Sequence, residues 1–217
     1  MYGRRITIIA VVGLFWLGLA VSASALGQAF GRTLIANIRG LRVTMYVPNP
    51  PNGLTWTAGP LAICNDTSCQ PSEGDEIVET GWIKGTDFGL GNQIRQYVAW
   101  QGTSGGFFHN YFVGTALNAN TWYQFQVLYS NSANRWEAWR GTSIPWYQSG
   151  LGWTQGQQAA IGGEAKANGD WMSAVAYQPQ YKVGTGSWTL FNYGYAQTSA
   201  NGCVSRVYDY GHQGYTC

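Results

Sequence analysis

Charged side chains are scarce in this sequence: they make up 10% of the chain, where about 25% is usual. Histidine is scarcer still, since His109 and His212 are the only two. With so few imidazoles, a serine-hydrolase reading has little support. No His-Glu-x-x-His is present to hold a catalytic zinc. Neither histidine sits near a cysteine pair at ligand spacing, so we expect no metal and no cofactor, and His212 reads as a surface-loop residue. Long helical periodicity is missing after residue 25.

The one long apolar run lies at the start. Arg4 and Arg5 precede apolar residues 6–21, and Ala23-Ser24-Ala25 follows with the small side chains of a signal-peptidase site. The run is shorter than the ~20 residues that cross a bilayer core. We therefore expect residues 1–25 to be a signal peptide, residues 26–217 to form one domain, and the product to be secreted, without a membrane anchor. Both arginines fall in the leader and no acidic residue does, so ten basic and ten acidic residues remain beyond it. A chain of balanced charge has no basic face for nucleic-acid phosphates. We also expect a monomer.

Four cysteines remain, all beyond residue 25. In an exported chain an even count favours disulfides. Cys64 and Cys69 would pinch a small loop and Cys203 and Cys217 would tie down the C-terminus, although four cysteines allow three pairings.

Aromatic residues are plentiful at 15%, with 11 tryptophans and 30 glycines. Strand-like runs fall at 41–46, 76–84, 93–100, 107–112, 122–129, 135–140, 160–165, 171–177 and 187–195. Turn clusters separate them, such as Pro48-Asn49-Pro50-Pro51-Asn52-Gly53 and Asn118-Ala119-Asn120. In 122–129, Tyr123, Phe125, Val127 and Tyr129 alternate with Gln124 and Gln126, as a strand with one core face requires. These features predict an all-β fold, an antiparallel β-sandwich or jelly roll. Residues 26–36 are too short for a separate pro-domain.

With only two imidazoles, and with the four cysteines expected to pair, carboxylates are the natural acid–base groups. Glu79 lies inside the strand-like Glu76-Ile77-Val78-Glu79-Thr80-Gly81-Trp82-Ile83, and Glu164 follows Gly162 and Gly163. A carboxylate in an apolar strand is costly to bury. Glycines beside it clear side-chain bulk and let a ligand backbone approach. The bland alternative is that both glutamates point into solvent from the outside of a sheet.

At these residues the chain resembles the neprosin family of glutamic peptidases. Glu79-Thr80-Gly81-Trp82 matches that family's Glu-x-Gly-Trp segment, and Gly162-Gly163-Glu164 matches its Gly-Gly-Glu segment. Weaker similarity runs through Arg39-Gly40-Leu41-Arg42-Val43-Thr44, Arg95-Gln96-Tyr97-Val98-Ala99-Trp100 and Asn201-Gly202-Cys203, in the same order. The resemblance implies a β-sandwich whose concave face carries Glu79 and Glu164 as a catalytic pair. It also implies hydrolysis of a peptide or protein substrate by a water, without a covalent intermediate. Such a pair shares one proton and is expected to work in acid. We expect Trp100, Gly162 and Gly163 to touch substrate. Tyr97 and Trp100 lie on opposite faces of one strand, so at most one of them lines the groove. Trp82 and Trp139 read as core. Two other readings stay open: a jelly-roll glycoside hydrolase using the same two carboxylates, and a non-catalytic sandwich that binds carbohydrate or peptide.

Overall fold

The computed structural model describes residues 27–67, 69, 76–87, 89–102, 110–166, 171–199, 201–208 and 211–217. The expected signal peptide lies outside them, as does the start of the strand expected at 107–112. Every regular element among the described residues is a strand. In chain order these are β1 (Gly27–Val47), β2 (Trp56–Cys64), β3 (Ile77–Gly85), β4 (Arg95–Gln101), β5 (Asn110–Ala116), β6 (Thr121–Ser130) and β7 (Arg135–Arg140). There follow β8 (Ser143–Gln148), β9 (Gly156–Ala165), β10 (Ser173–Val183), β11 (Trp188–Leu190), β12 (Tyr195–Thr198), β13 (Gly202–Tyr208) and β14 (Gly211–Thr216).

All pairings are antiparallel, and the main path runs β13-β14-β10-β1-β9-β2-β3-β4-β5. The long β1 joins two layers. Its first part pairs with β9, from Gly27↔Ala165 to Leu34↔Gln158. Its second part pairs with β10 and with β6, the latter from Gly40↔Leu128 to Val47↔Thr121. Between them the register shifts, and Asn37 takes φ 59°. Asparagine is one of the few residues that visit this region readily, and an irregularity of this kind lets a strand bend from one layer into the next.

Alternation then builds the core. On β6, Phe125 and Val127 are buried while Trp122 and Gln124 are exposed. They meet Leu61, Ile63, Val78, Trp82 and Val98 from the other layer, with Trp136 and Trp146 from the β7–β8 hairpin. The all-β expectation therefore holds. Five pieces of strand went unmarked in the sequence: the first part of β1, and all of β2, β8, β13 and β14. Residues 26–36, set aside as too short for a pro-domain, supply most of the first part of β1. The run at 187–195 holds the short strand β11 and reaches only the first residue of β12.

β2 is instructive. It is central and almost wholly buried, yet it contains Gly59-Pro60. Proline has no amide hydrogen for a ladder and is usually confined to edges. The β2–β9 ladder steps over both residues, from Ala58↔Glu164 to Leu61↔Ile161. Disulfides join Cys64 to Cys69, with Cα atoms 5.4 Å apart, and Cys203 to Cys217, at 5.7 Å.

Candidate active site

The ladder registers decide which side chains share a face. Glu79 on β3 pairs with Ala62 on β2, Ala62 with Ala160 on β9, and Ala160 with Arg32 on β1. Cross-strand partners project to the same side, so these residues form one row. Glu164 pairs with Ala58 and with Gln28, each four residues from a member of that row. An even offset keeps them on the same face. Glu79 and Glu164 therefore stand on one side of the sheet, the side away from the aromatic core.

Almost nothing bulky separates them. The intervening row contains Gly81 opposite Pro60, and Gly162 opposite Phe30. A Cβ on Gly81 would lie 1.9 Å from the Gly59 carbonyl oxygen, and one on Gly162 would lie 2.1 Å from that of Ala29. These glycines are required by close approach of the chain's own backbone. That is a different reason from the substrate approach expected for Gly162 and Gly163, whose contact with substrate stays a proposal. A Cβ on Gly163 would meet the Gly214 oxygen at 3.1 Å.

Both glutamates line one small cavity of about 10 Å³, together with Gln28, Arg32, Ala62 and Ala160. That is roughly the space one water occupies. Glu164 is buried and Glu79 half-buried. Burial pushes Glu79 up to about 8, the Glu164 charge adds to this, and Tyr97 pulls it back. Burial also raises Glu164, to about 7, while Gln28 and then Arg32 oppose the rise. Gln28 Nε2 donates to Glu164 Oε1 at 3.4 Å, a long bond. The Tyr97 hydroxyl attracts Glu79 through a contact that falls short of good hydrogen-bond geometry, and it has no other partner. Glu137 is the contrast: it too is buried, but Arg135 sits 2.9 Å away and ordinary ion pairing accounts for it.

Of the two aromatics on β4, Tyr97 is the one on the glutamate face, through its pairing with Gly81. Trp100 is not. Its neighbour Ala99 pairs with Glu79, so Trp100 points the opposite way and packs on Trp146 with ring centroids 4.7 Å apart. The expectation that Trp100 binds substrate is therefore corrected. Trp82 is fully buried in the core, whereas Trp139 is only half-buried. His212 needs correction as well. It is 2% exposed, and its Nε2 donates to the Ile161 carbonyl at 2.9 Å from the far side of β9. Gln28, Arg32 and Tyr97 were missed as site residues. Only Tyr97 left a trace, as one of two aromatics on opposite faces.

Among the described residues, no group of three or more His, Cys, Asp or Glu side chains converges as a metal site. What the arrangement offers is two facing carboxyls, a tyrosine hydroxyl, an amide and a guanidinium.

The fold is that of the glutamic peptidases. The chain is similar to scytalido-glutamic peptidase with a transition-state analogue inhibitor, at TM-score 0.60 and 12% identity, covering 89% of this chain and 98% of that one. It is also similar to SCP-B, a member of the eqolisin family of peptidases, in complex with the tripeptide Ala-Ile-His. There the TM-score is 0.57 and identity 12%, with the same coverage of 89% and 98%. No family model and no curated protein matches the sequence.

Proposed function

We propose that this protein is a secreted glutamic endopeptidase of the neprosin type, hydrolysing peptide bonds with Glu79 and Glu164. The observation that carries the reading is the single water-sized cavity lined by both carboxyls. Two close buried carboxyls cannot both ionise cheaply, so one keeps a proton. Glu164 has the better environment for negative charge, since Gln28 and Arg32 both favour its ionised form. It serves as general base and takes a proton from the attacking water. Glu79 is the more strongly raised of the two and stays protonated. It hydrogen-bonds the substrate carbonyl, stabilises the oxyanion and then delivers its proton to the leaving amine. The Tyr97 hydroxyl stands beside Glu79 as a second donor.

Burial also bears on the working pH. A one-proton pair of ordinary carboxyls would work in strong acid. Here both are pushed upward, and the active form needs Glu164 ionised, above about 7, with Glu79 still protonated, below about 8, so we place the optimum near neutral pH. Activity falls above about 8, where Glu79 ionises. The two disulfides suit an oxidising, extracellular compartment.

The test is to incubate the purified chain from residue 26 with a denatured protein mixture and with plant and bacterial polysaccharides, across a range of pH. We expect peptides and no sugars. Sugar release without peptides would replace the peptidase with a glycosidase, and release of neither would favour a binding sandwich.

A further inference from the structure

The Cys64–Cys69 loop does more than close on itself. Cys69 lines the same cavity as the two glutamates. Its backbone takes φ 49°, a region that side chains other than glycine rarely enter. Two things hold it there: the disulfide, and the Asp66 carboxylate, which accepts from the Cys69 amide at 2.7 Å. The Cys69 carbonyl is thereby aimed at Arg32, whose Nη1 donates to it at 3.2 Å and to Gln158 Oε1 at 3.0 Å. Gln158 Nε2 in turn donates to the Thr67 carbonyl at 3.1 Å and to the Tyr195 hydroxyl. Arg32 is 2% exposed and Gln158 fully buried, so neither can swing into solvent to satisfy its polar groups elsewhere. The Phe30 ring, 5.1 Å from the guanidinium carbon, packs beside it.

A guanidinium on a flexible stem is a useful electrostatic group only if it is held still. We propose that the Cys64–Cys69 loop is a positioning device for Arg32, fixing the guanidinium where its charge favours the ionised Glu164 carboxylate. This rests on the peptidase reading for its consequence in catalysis, but not for its electrostatics. Among the described residues, the charged and titratable groups around Arg32 and Glu164 are Glu79 on β3, Tyr97 on β4, Tyr195 on β12, Asp66 in the loop itself and Lys166, two residues beyond Glu164. Lys166 is the one other cation among them, and its exposed Nζ lies 3.7 Å from Asp87. Loosening the loop therefore removes a cation that the remaining groups cannot replace. Glu164 then ionises at higher pH, and the base form needed for catalysis is lost from the acid side.

The experiment compares the wild-type chain with Cys64→Ser/Cys69→Ser, Asp66→Ala and Arg32→Gln, alone and with the loop changes in the Arg32→Gln background. Two readouts are taken: the Glu164 carboxyl titration by carbon NMR, and the acid limb of the pH profile of kcat/KM on a denatured protein. We expect Arg32→Gln to raise both by about one pH unit, the cysteine pair to raise both by a similar or smaller amount, and Asp66→Ala by less. In the Arg32→Gln background the loop changes should add nothing, as expected when one group acts through another. Asp66→Ala keeps the test sharp if the cysteine variant does not fold, because the disulfide stays intact. Loop variants that leave the Glu164 titration in place, or shifts that add to that of Arg32→Gln, overturn the proposal. If the wild-type chain releases no peptide, the peptidase reading fails while the NMR titration still decides whether the loop positions Arg32.

Discussion

The outer and inner faces of β9, β2 and β3 are made by alternate residues of the same strands, and they are built in opposite ways. On the inner face Leu61, Ile63, Val78, Trp82 and Ile161 are buried and large, and they pack on Phe125, Val127 and Trp136. On the outer face the same strands present Ala62, Ala160, Gly81 and Gly162, and set two carboxyls among them. Burial on the inner side removes apolar area from water and stabilises the fold. Burial on the outer side desolvates Glu79 and Glu164, which costs stability and raises their pKa. His212 is the inner face's own exception, a buried imidazole held to the β9 backbone at Ile161. Small residues on one face therefore make room for chemistry, and large ones on the other supply the rigidity that the chemistry needs.

The hardest blow to this contrast falls on catalysis. Glu79→Gln and Glu164→Gln should each lower kcat/KM by at least about a thousandfold, and the double variant should be little worse than either single one. Steady-state kinetics on one peptide substrate checks this. Additive partial losses would mean that the two carboxyls act separately.

Changes on β4 divide the faces next. Trp100→Ala should cost about 2–4 kcal/mol of stability and leave kcat/KM of the folded fraction nearly unchanged, because Trp100 packs on Trp146. Tyr97→Phe should do the reverse. Stability should hold, while the alkaline limb of the pH profile moves up, since Tyr97 now pulls Glu79 down. Denaturant melts and pH–rate profiles separate the two. A Trp100 variant that keeps its stability but loses substrate affinity would return Trp100 to the groove.

Stability against pH should also distinguish the faces. Glu79 titrates at 4.5 when unfolded and near 8 when folded. The protonated form suits the fold, so its contribution is full below 4.5 and is lost as pH rises through about 8. Glu79→Gln should therefore raise Tm at pH 8 by about 2–4 °C, with little gain at pH 4. Buried His212 has the opposite sign. Burial lowers it from 6.5, against the pull of its bond to the Ile161 carbonyl. Its contribution is full above 6.5 and is lost as pH falls through 6.5 toward the lower folded value. His212→Gln should flatten this acid-side loss while giving a slightly less stable protein at pH 8. Calorimetry at several pH values reads both, and an acid-side loss that persists in His212→Gln would place its cause elsewhere.

The sequence made Glu79 and Glu164 visible because each sits in a strand-like run with glycines nearby, a setting in which a carboxylate needs a reason. It also showed that Tyr97 and Trp100 oppose each other. It could not say which of them faces the glutamates, because that depends on the β3–β4 register, and a slip of one residue exchanges them. Gln28 and Arg32 were hidden for another reason. They lie in a stretch that shows no strand-like alternation of its own and becomes strand only by pairing with β9 and β12. β2 was obscured by Gly59-Pro60, which reads as a turn locally and is tolerated because the β9 ladder breaks opposite it. His212 looked like a loop residue because Gly211 and Gly214 flank the pair His212-Gln213. Its burial comes from packing near Phe191 and Tyr193, far away in the chain.

The proposed catalytic pair requires that the two carboxyls face each other across one cavity. The direct measurement is the Glu79 carboxyl titration by carbon NMR in the wild-type chain and in Glu164→Gln. We expect Glu79 to titrate well above 4.5 in the wild type, chiefly because it is buried. In Glu164→Gln it should move down when its charged neighbour is removed, yet stay above the ordinary value because the burial remains. A Glu79 titration that is the same in both proteins would contradict the paired site.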